Sequence, residues 1–107
     1  MTIRRKEKIS SILLKLGAEF VERESSGKSI ITITNIDVSP DLSEATLFFT
    51  TFPDAQEKDA LSFLKRQRTN FREYVKKYWR MNPLPSFDFE IDKGEKNRQN
   101  IDKLLGH

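Results

Sequence analysis

A chain of 107 residues, 36% of them hydrophobic and 33% charged, holds enough apolar side chains for one core and no more. It has no Cys, and its one His, His107, is the last residue. That removes disulfide frameworks, thiolate or imidazole metal clusters and any His-dependent catalytic triad.

From the start of the chain, Ile9, Ile12, Leu13, Leu16 and Phe20 recur at helical spacing and predict an amphipathic helix over about residues 3–22. The turn cluster Ser25-Ser26-Gly27 ends it. Residues 29–38 are dense in β-branched side chains (Ile30, Ile31, Thr32, Ile33, Thr34, Ile36, Val38) and predict a strand. Ser39-Pro40-Asp41 reads as a β-turn. Residues 42–52 then form a second strand in which Ala45, Leu47 and Phe49 alternate with Thr46, Phe48 and Thr50. A connector this short makes the two strands an antiparallel pair.

Pro53-Asp54 breaks the second strand, and Asp54 with Glu57 resembles a capping box, Asp54 accepting the first free N–H groups of a helix. Ala60, Leu61 and Leu64 give that helix its buried side. Phe71, Val75, Tyr78 and Trp79 supply the stripe of another, which Pro83-Leu84-Pro85 stops. Phe87, Phe89 and Ile91 alternate with Asp88, Glu90 and Asp92, a strand with one apolar and one acidic face. Gly94 turns the chain, and Ile101, Leu104 and Leu105 predict a short closing helix. The expectation is a single α+β domain over residues 1–107. No apolar run approaches the roughly 20 residues of a membrane span. The basic start Met1-Thr2-Ile3-Arg4-Arg5-Lys6 leads into charge instead of a signal-peptide core, so a cytoplasmic protein is expected.

The charge is segregated. Residues 65–80 carry seven cations (Lys65, Arg66, Arg68, Arg72, Lys76, Lys77, Arg80) against Glu73, a net of +6. Residues 4–8 carry four (Arg4, Arg5, Lys6, Lys8) against Glu7, a net of +3; the whole chain is only +3, so the remainder is −6. Arg68, Arg72, Lys76 and Arg80 stand four residues apart and line one face of the predicted helix over about 18 Å. Like charges at that spacing repel, and a purely structural helix usually alternates signs. Two readings follow, a solvated face or a phosphate-binding row. The cations in residues 4–8 oppose the macrodipole at a helix start. They form either a frayed basic terminus or a second phosphate-gripping arm.

Tyr74, Tyr78 and Trp79 have the chemistry to stack on unpaired bases, and at helical spacing beside Val75 they equally suit packing. Asp88, Glu90 and Asp92 stand about 6.5–7 Å apart along a strand, too wide for one tight metal site, and read as a solvated or salt-bridged face. The four Gly form no phosphate-cradling loop. No catalytic residue, metal site, cofactor or small-molecule substrate is indicated.

The run Ile33-Thr34-Asn35-Ile36-Asp37-Val38-Ser39-Pro40-Asp41-Leu42-Ser43-Glu44-Ala45 resembles the first-hairpin signature of ribosome-binding factor A. Arg72 with Val75, Lys77 and Arg80 resembles that family's basic helix. Pro85-Ser86-Phe87-Asp88-Phe89-Glu90-Ile91-Asp92 resembles its third strand, and residues 98–105 its closing segment. Residues 5–16 are similar to the opening basic helix more loosely. The resemblance implies a type II KH-like fold, order α-β-β-α-α-β, with a three-stranded sheet packed on helices and a short C-terminal helix. It implies a monomeric, non-enzymatic, cofactor-free protein. Such a protein binds the immature 30S small ribosomal subunit and its 16S ribosomal RNA, assists late maturation and rRNA processing, and matters for growth in the cold.

One departure stands out. The family carries Ala-x-Gly between its last two helices, where this chain has Gln67-Arg68-Thr69. Without Gly, a left-handed kink is costly for anything but Asn or Asp. Either Asn70 takes that role or the helices run on. The RNA-binding residues expected on this basis are Arg66, Arg68, Thr69, Asn70, Arg72, Lys76, Lys77 and Arg80, helped by Arg4, Arg5 and Lys8. The alternatives are a protein-interaction module whose basic helix meets an acidic surface, and a generic RNA-binding KH-like protein.

Overall fold

The computed structural model describes residues 2–24, 29–80 and 82–94, with side chains from Arg5 onward. Its elements are α1 (Thr2–Glu24), β1 (Ile30–Val38), β2 (Glu44–Phe52), a 3-10 turn (Asp54–Gln56), α2 (Glu57–Arg66), α3 (Arg68–Tyr78) and β3 (Ser86–Ile91). The predicted order of helices and strands holds. The closing helix expected around Ile101, Leu104 and Leu105 lies outside the described residues.

The sheet runs β1-β2-β3, with β1 antiparallel and β3 parallel to β2. A parallel neighbour cannot follow through a tight turn; it needs a crossover, which α2 and α3 provide. Alternation then sorts the side chains. Ala45, Leu47 and Phe49 of β2 and Phe87 and Phe89 of β3 are buried, against Ile9, Leu13, Leu16, Phe20 and Val21 of α1, Ala60 and Leu64 of α2, and Phe71 and Val75 of α3. Phe71 is the centre of this layer, with ring centroids 5.2 Å from Phe20, 4.9 Å from Phe87 and 5.7 Å from Phe89. Gly17 lets α1 approach the sheet. A Cβ at that position would lie 2.3 Å from Leu47 Cδ2, and Leu47 is fully buried.

β1 does not alternate cleanly, and a bulge explains why. Ile33 pairs with Phe49 but Asn35 pairs with Phe48, so Thr34 is an extra residue. It shifts the core-facing set from Ile31 and Ile33 to Ile36 and Val38, re-aiming the strand halfway along. The Thr34 hydroxyl donates to the Asp92 carboxylate, tying the bulge to the residue that follows β3.

The β1–β2 turn is tightly wired. Asp41 Oδ1 accepts from Ser39 Oγ at 2.8 Å and from Ser43 Oγ at 2.7 Å and backbone N at 3.1 Å. The Ser43 hydroxyl first, and then that of Ser39, hold the Asp41 carboxyl below its ordinary value. Leu42 has φ 62, a left-handed conformation that costs a non-glycine residue about 1–2 kcal/mol. The surrounding hydrogen bonds and the packing of Leu42 against the core hold it there.

Three local expectations are corrected. The Asp54–Glu57 capping box does not form at the start of α2. A 3-10 turn closed by Gln56 N donating to Pro53 O (3.0 Å) intervenes, so Gln56 precedes α2 and makes no side-chain cap. A capping side chain must sit immediately before the first helical residue, here at Gln56, and Asp54 is two residues early. The second correction concerns the joint between α2 and α3. It falls at Gln67, with φ −91 and ψ 2, a region open to any residue, and Asn70 is helical. No left-handed residue is needed, which is why the chain manages without Gly there. Third, α3 ends at Tyr78, before the prolines, because Trp79 is already extended at φ −155 and ψ 126. Arg80 therefore lies beyond the helix instead of closing its basic row.

Candidate RNA-binding surface

Phe71 and Val75 fix how α3 is rotated against the sheet, and that rotation decides what its cations meet. Arg68, Arg72 and Lys76, four residues apart, share the flank of the helix next to the core stripe. At its near end this flank is occupied by the protein's own acceptors. Lys65, on the last turn of α2, donates to Asp88 Oδ1 at 2.7 Å and Glu90 Oε1 at 3.0 Å. The hydrogen bond that Lys65 donates to Asp88 holds its ammonium above its ordinary pKa, with burial pulling the other way and Glu90 adding to the rise. Arg68 reaches the same Asp88 carboxylate at 3.6 Å, and its Nε donates to Lys65 O at 3.0 Å, covering a carbonyl at the end of α2. Arg72 Nη1 donates to Pro85 O at 3.1 Å and fastens α3 to the segment entering β3. Lys76 meets Glu73 at 3.4 Å on the surface. The acidic face of β3 is thus salt-bridged, as the alternation of Asp88 and Glu90 suggested.

The expected row of free cations is therefore only partly free. Arg68 and Arg72 also make contacts within the fold, because a guanidinium beside a carboxylate or a backbone carbonyl finds hydrogen bonds there, and Arg68 keeps an exposed side chain. Thr69 and Asn70 are exposed on the first turn of α3, and Asn70 Nδ2 donates to Gln67 Oε1 at 2.9 Å. Arg66, Lys77 and Arg80 are exposed and pair with no carboxylate among the described residues. The same holds for Arg5 and Lys8 on α1; the side chain of Arg4 lies outside the described residues.

Arg80 of the first set converges in space with Arg5 and Lys8, while Arg66 lines a separate pocket with Ser29 and Ile31. A cleft of 540 Å³ opens between the first turns of α1, the β1–β2 turn and the residues after α3, with Arg5, Lys8, Asp41, Leu42, Trp79 and Arg80 on its walls. Arg5 and Arg80 are 75 positions apart in the chain, and no local pattern announced that they share a cleft. Sequence reasoning placed the centre of the basic surface in the middle of α3. The cleft lies beyond the far end of that helix.

The aromatic residues separate in the same way. Tyr74 is used for packing: its ring lies 5.4 Å from Phe20 and 4.8 Å from Tyr78, with the Arg23 guanidinium 5.4 Å above it. Its hydroxyl donates to Glu19 at 3.3 Å, and burial, followed by Glu19, pushes the phenol pKa up. Tyr78 is 59% exposed. Trp79 is half-buried and lines the cleft.

A three-stranded mixed sheet with helices α1, α2 and α3 packed against it, and Arg5, Lys8 and Arg80 around one cleft, defines a KH-like α+β domain with a basic cleft. The chain belongs to the ribosome-binding factor A family, whose model matches residues 4–105. It is 35% identical over 79 residues to ribosome-binding factor A of Fervidobacterium nodosum, covering 73% of this chain and 63% of that protein. Against the Natranaerobius thermophilus protein of the same name it is 29% identical over 104 residues, covering 94% of this chain and 79% of the relative. The fold is similar to the crystal structure of ribosome-binding factor A from Thermus thermophilus, with a TM-score of 0.75 and 21% identity. That match covers 82% of this chain and 96% of the other.

Proposed function

We propose that this protein is an assembly factor that docks on the immature 30S subunit through its 16S ribosomal RNA and assists late maturation and processing of that RNA. It acts in the cytoplasm as a monomer, by occupancy and without catalysis or cofactor. The observation that carries this reading is the set of exposed cations Arg66, Lys77, Arg80, Arg5 and Lys8, left without carboxylate partners among the described residues in a ribosome-binding factor A chain. Folding gains nothing from gathering such charges; a polyanion does. Lys76, Thr69 and Asn70 complete the surface, while Arg68 and Arg72 shape it through their contacts with Asp88 and Pro85. Phosphate contacts position the protein, and the shape of folded RNA supplies most of the selectivity. Each phosphate neutralised adds about 0.7–0.9 to the salt slope of affinity.

Gradient sedimentation of cell lysate tests the assignment. The protein is expected to travel with free small subunits and not with complete ribosomes. A variant carrying Arg66→Glu, Lys77→Glu and Arg80→Glu is expected to stay at the top of the gradient while melting like the parent. Unchanged co-sedimentation of the folded variant would reject this face. Competition decides the class of partner: immature-subunit RNA outcompetes duplex DNA and acidic polypeptides, and the opposite order would make the protein a protein-interaction module instead.

A further inference from the structure

We propose that the cleft between α1, the β1–β2 turn and the residues after α3 receives one unpaired RNA base, stacked on Trp79, while Arg5, Lys8 and Arg80 hold the neighbouring phosphates. This rests on the RNA-docking reading and names one contact within it.

The walls match the two halves of a nucleotide. Ile9, Ile12 and Leu42 give an apolar floor beside the Trp79 indole, and three cations without carboxylate partners among the described residues stand on the rim. A base offers two apolar faces and its chain offers a phosphate on either side, so an aromatic platform ringed by cations suits it and suits neither an apolar peptide nor a free anion. The cleft volume of 540 Å³ lies within the range of about 300–1,000 Å³ seen for small-ligand pockets. That is room for a base splayed from its strand and not for a duplex. Asp41 keeps phosphate away from one wall, and its carboxylate is fixed by Ser39 and Ser43 so that it can accept an N–H from a base edge.

Two further features fit the same occupant. The large indole of Trp79 packs against the edge of the core and is left half-buried on the cleft wall. Leu42 is the one described non-glycine residue with positive φ, and it sits on this cleft. Backbone held in a sparsely populated conformation collects at ligand sites, where the surrounding structure over-determines it.

Trp79 is the only tryptophan in the chain, so its fluorescence reports the cleft directly. A single-stranded RNA of about nine nucleotides and mixed sequence is expected to quench that emission saturably. The same strand made abasic is expected to bind without quenching, as is a duplex of equal length. Trp79→Leu should weaken single-strand binding, read by filter retention, by roughly 5- to 100-fold. Should that variant fail to fold, Arg80→Gln, an exposed change outside α3, is expected to shift the quenching titration to higher RNA concentration. Filter-retained RNA with Trp79 emission unchanged would overturn the cleft while leaving the docking surface standing. Binding of no RNA by either readout would overturn both.

Discussion

Where α2 meets α3, Lys65 and Arg68 lie against Asp88 and Glu90 of β3, and the four charges cancel. Beyond the other end of α3, Arg80 stands with Arg5 and Lys8 around a cleft whose one carboxylate, Asp41, is already engaged in its own turn. Both ends are equally basic in the sequence, but the first leaves only Arg66 exposed without a carboxylate, whereas the second gathers Arg5, Lys8 and Arg80 around one cleft. Density of cations along a chain measures potential; availability is set by which of them the fold has supplied with acceptors. A carboxylate three ångströms away both neutralises a lysine and makes its removal by a phosphate costly, because the abandoned acid must then be resolvated.

The contrast is tested most severely by RNA affinity. Arg5→Gln, Lys8→Gln and Arg80→Gln together are expected to weaken binding to small-subunit RNA by roughly 10- to 100-fold and to lower the salt slope by about 2–3. Lys65→Met with Arg68→Gln should change affinity by less than about threefold. Filter binding at several salt concentrations checks both, and equal losses from the two variants would show that the internal pairing leaves Lys65 and Arg68 free to bind.

Stability should invert that order. Lys65→Met leaves Asp88 and Glu90 adjacent with only Arg68 nearby and is expected to cost about 1 kcal/mol, the upper end for pairs this exposed. Arg80→Gln should fall within about 0.5 kcal/mol of the parent, as surface changes do. Arg72→Met lies between. It frees the Pro85 carbonyl of one donor and should cost about 0.5–1 kcal/mol in urea unfolding, with RNA affinity within about twofold. A large loss of RNA binding with no loss of stability would return Arg72 to the binding surface.

How much of this was legible depended on distance along the chain. The apolar period of α1, the β-branched density of β1 and the alternation in β2 and β3 are local, and they announce their elements to within a few residues. The bulge at Thr34 hid in the same β-branched run, since Ile33 and Ile36 satisfy either phase until the partner strand fixes the register. The α2–α3 break at Gln67 was sought in a left-handed residue, whereas a bridge-region residue accomplishes it with a hydrogen bond from Gln67 N to Leu64 O. The end of α3 was assigned to the prolines, but Trp79 departs earlier, where its side chain finds the cleft. The charge pairing was least accessible of all. Asp88 was recognisable as an acid on a strand, yet nothing in a linear pattern says that Lys65, 23 positions earlier, will lie 2.7 Å from it.

The smallest effect separates the two ends by pH. Lys65 has its pKa raised above the usual 10.5 by Asp88 first and Glu90 after it. Folding therefore strengthens its hold on a proton, and the stabilising contribution is complete below 10.5. It fades as pH climbs through the higher folded-state value, where the ammonium is lost and only carboxylates remain. Thermal melts of the parent and of Lys65→Met are expected to keep a constant separation from pH 7 to about pH 10 and to converge above it. The comparison between the two proteins removes the other lysines and the tyrosines, which titrate alike in both. Salt should narrow the separation only modestly, because the pair is in direct contact at 2.7 Å, well inside a Debye length of about 10 Å at 0.1 M. A separation that instead closed between pH 7 and 9 would mean that Lys65 gives up its proton easily. Asp88 and Glu90 would then not be its partners, and the near end of α3 would be as open to phosphate as the far one.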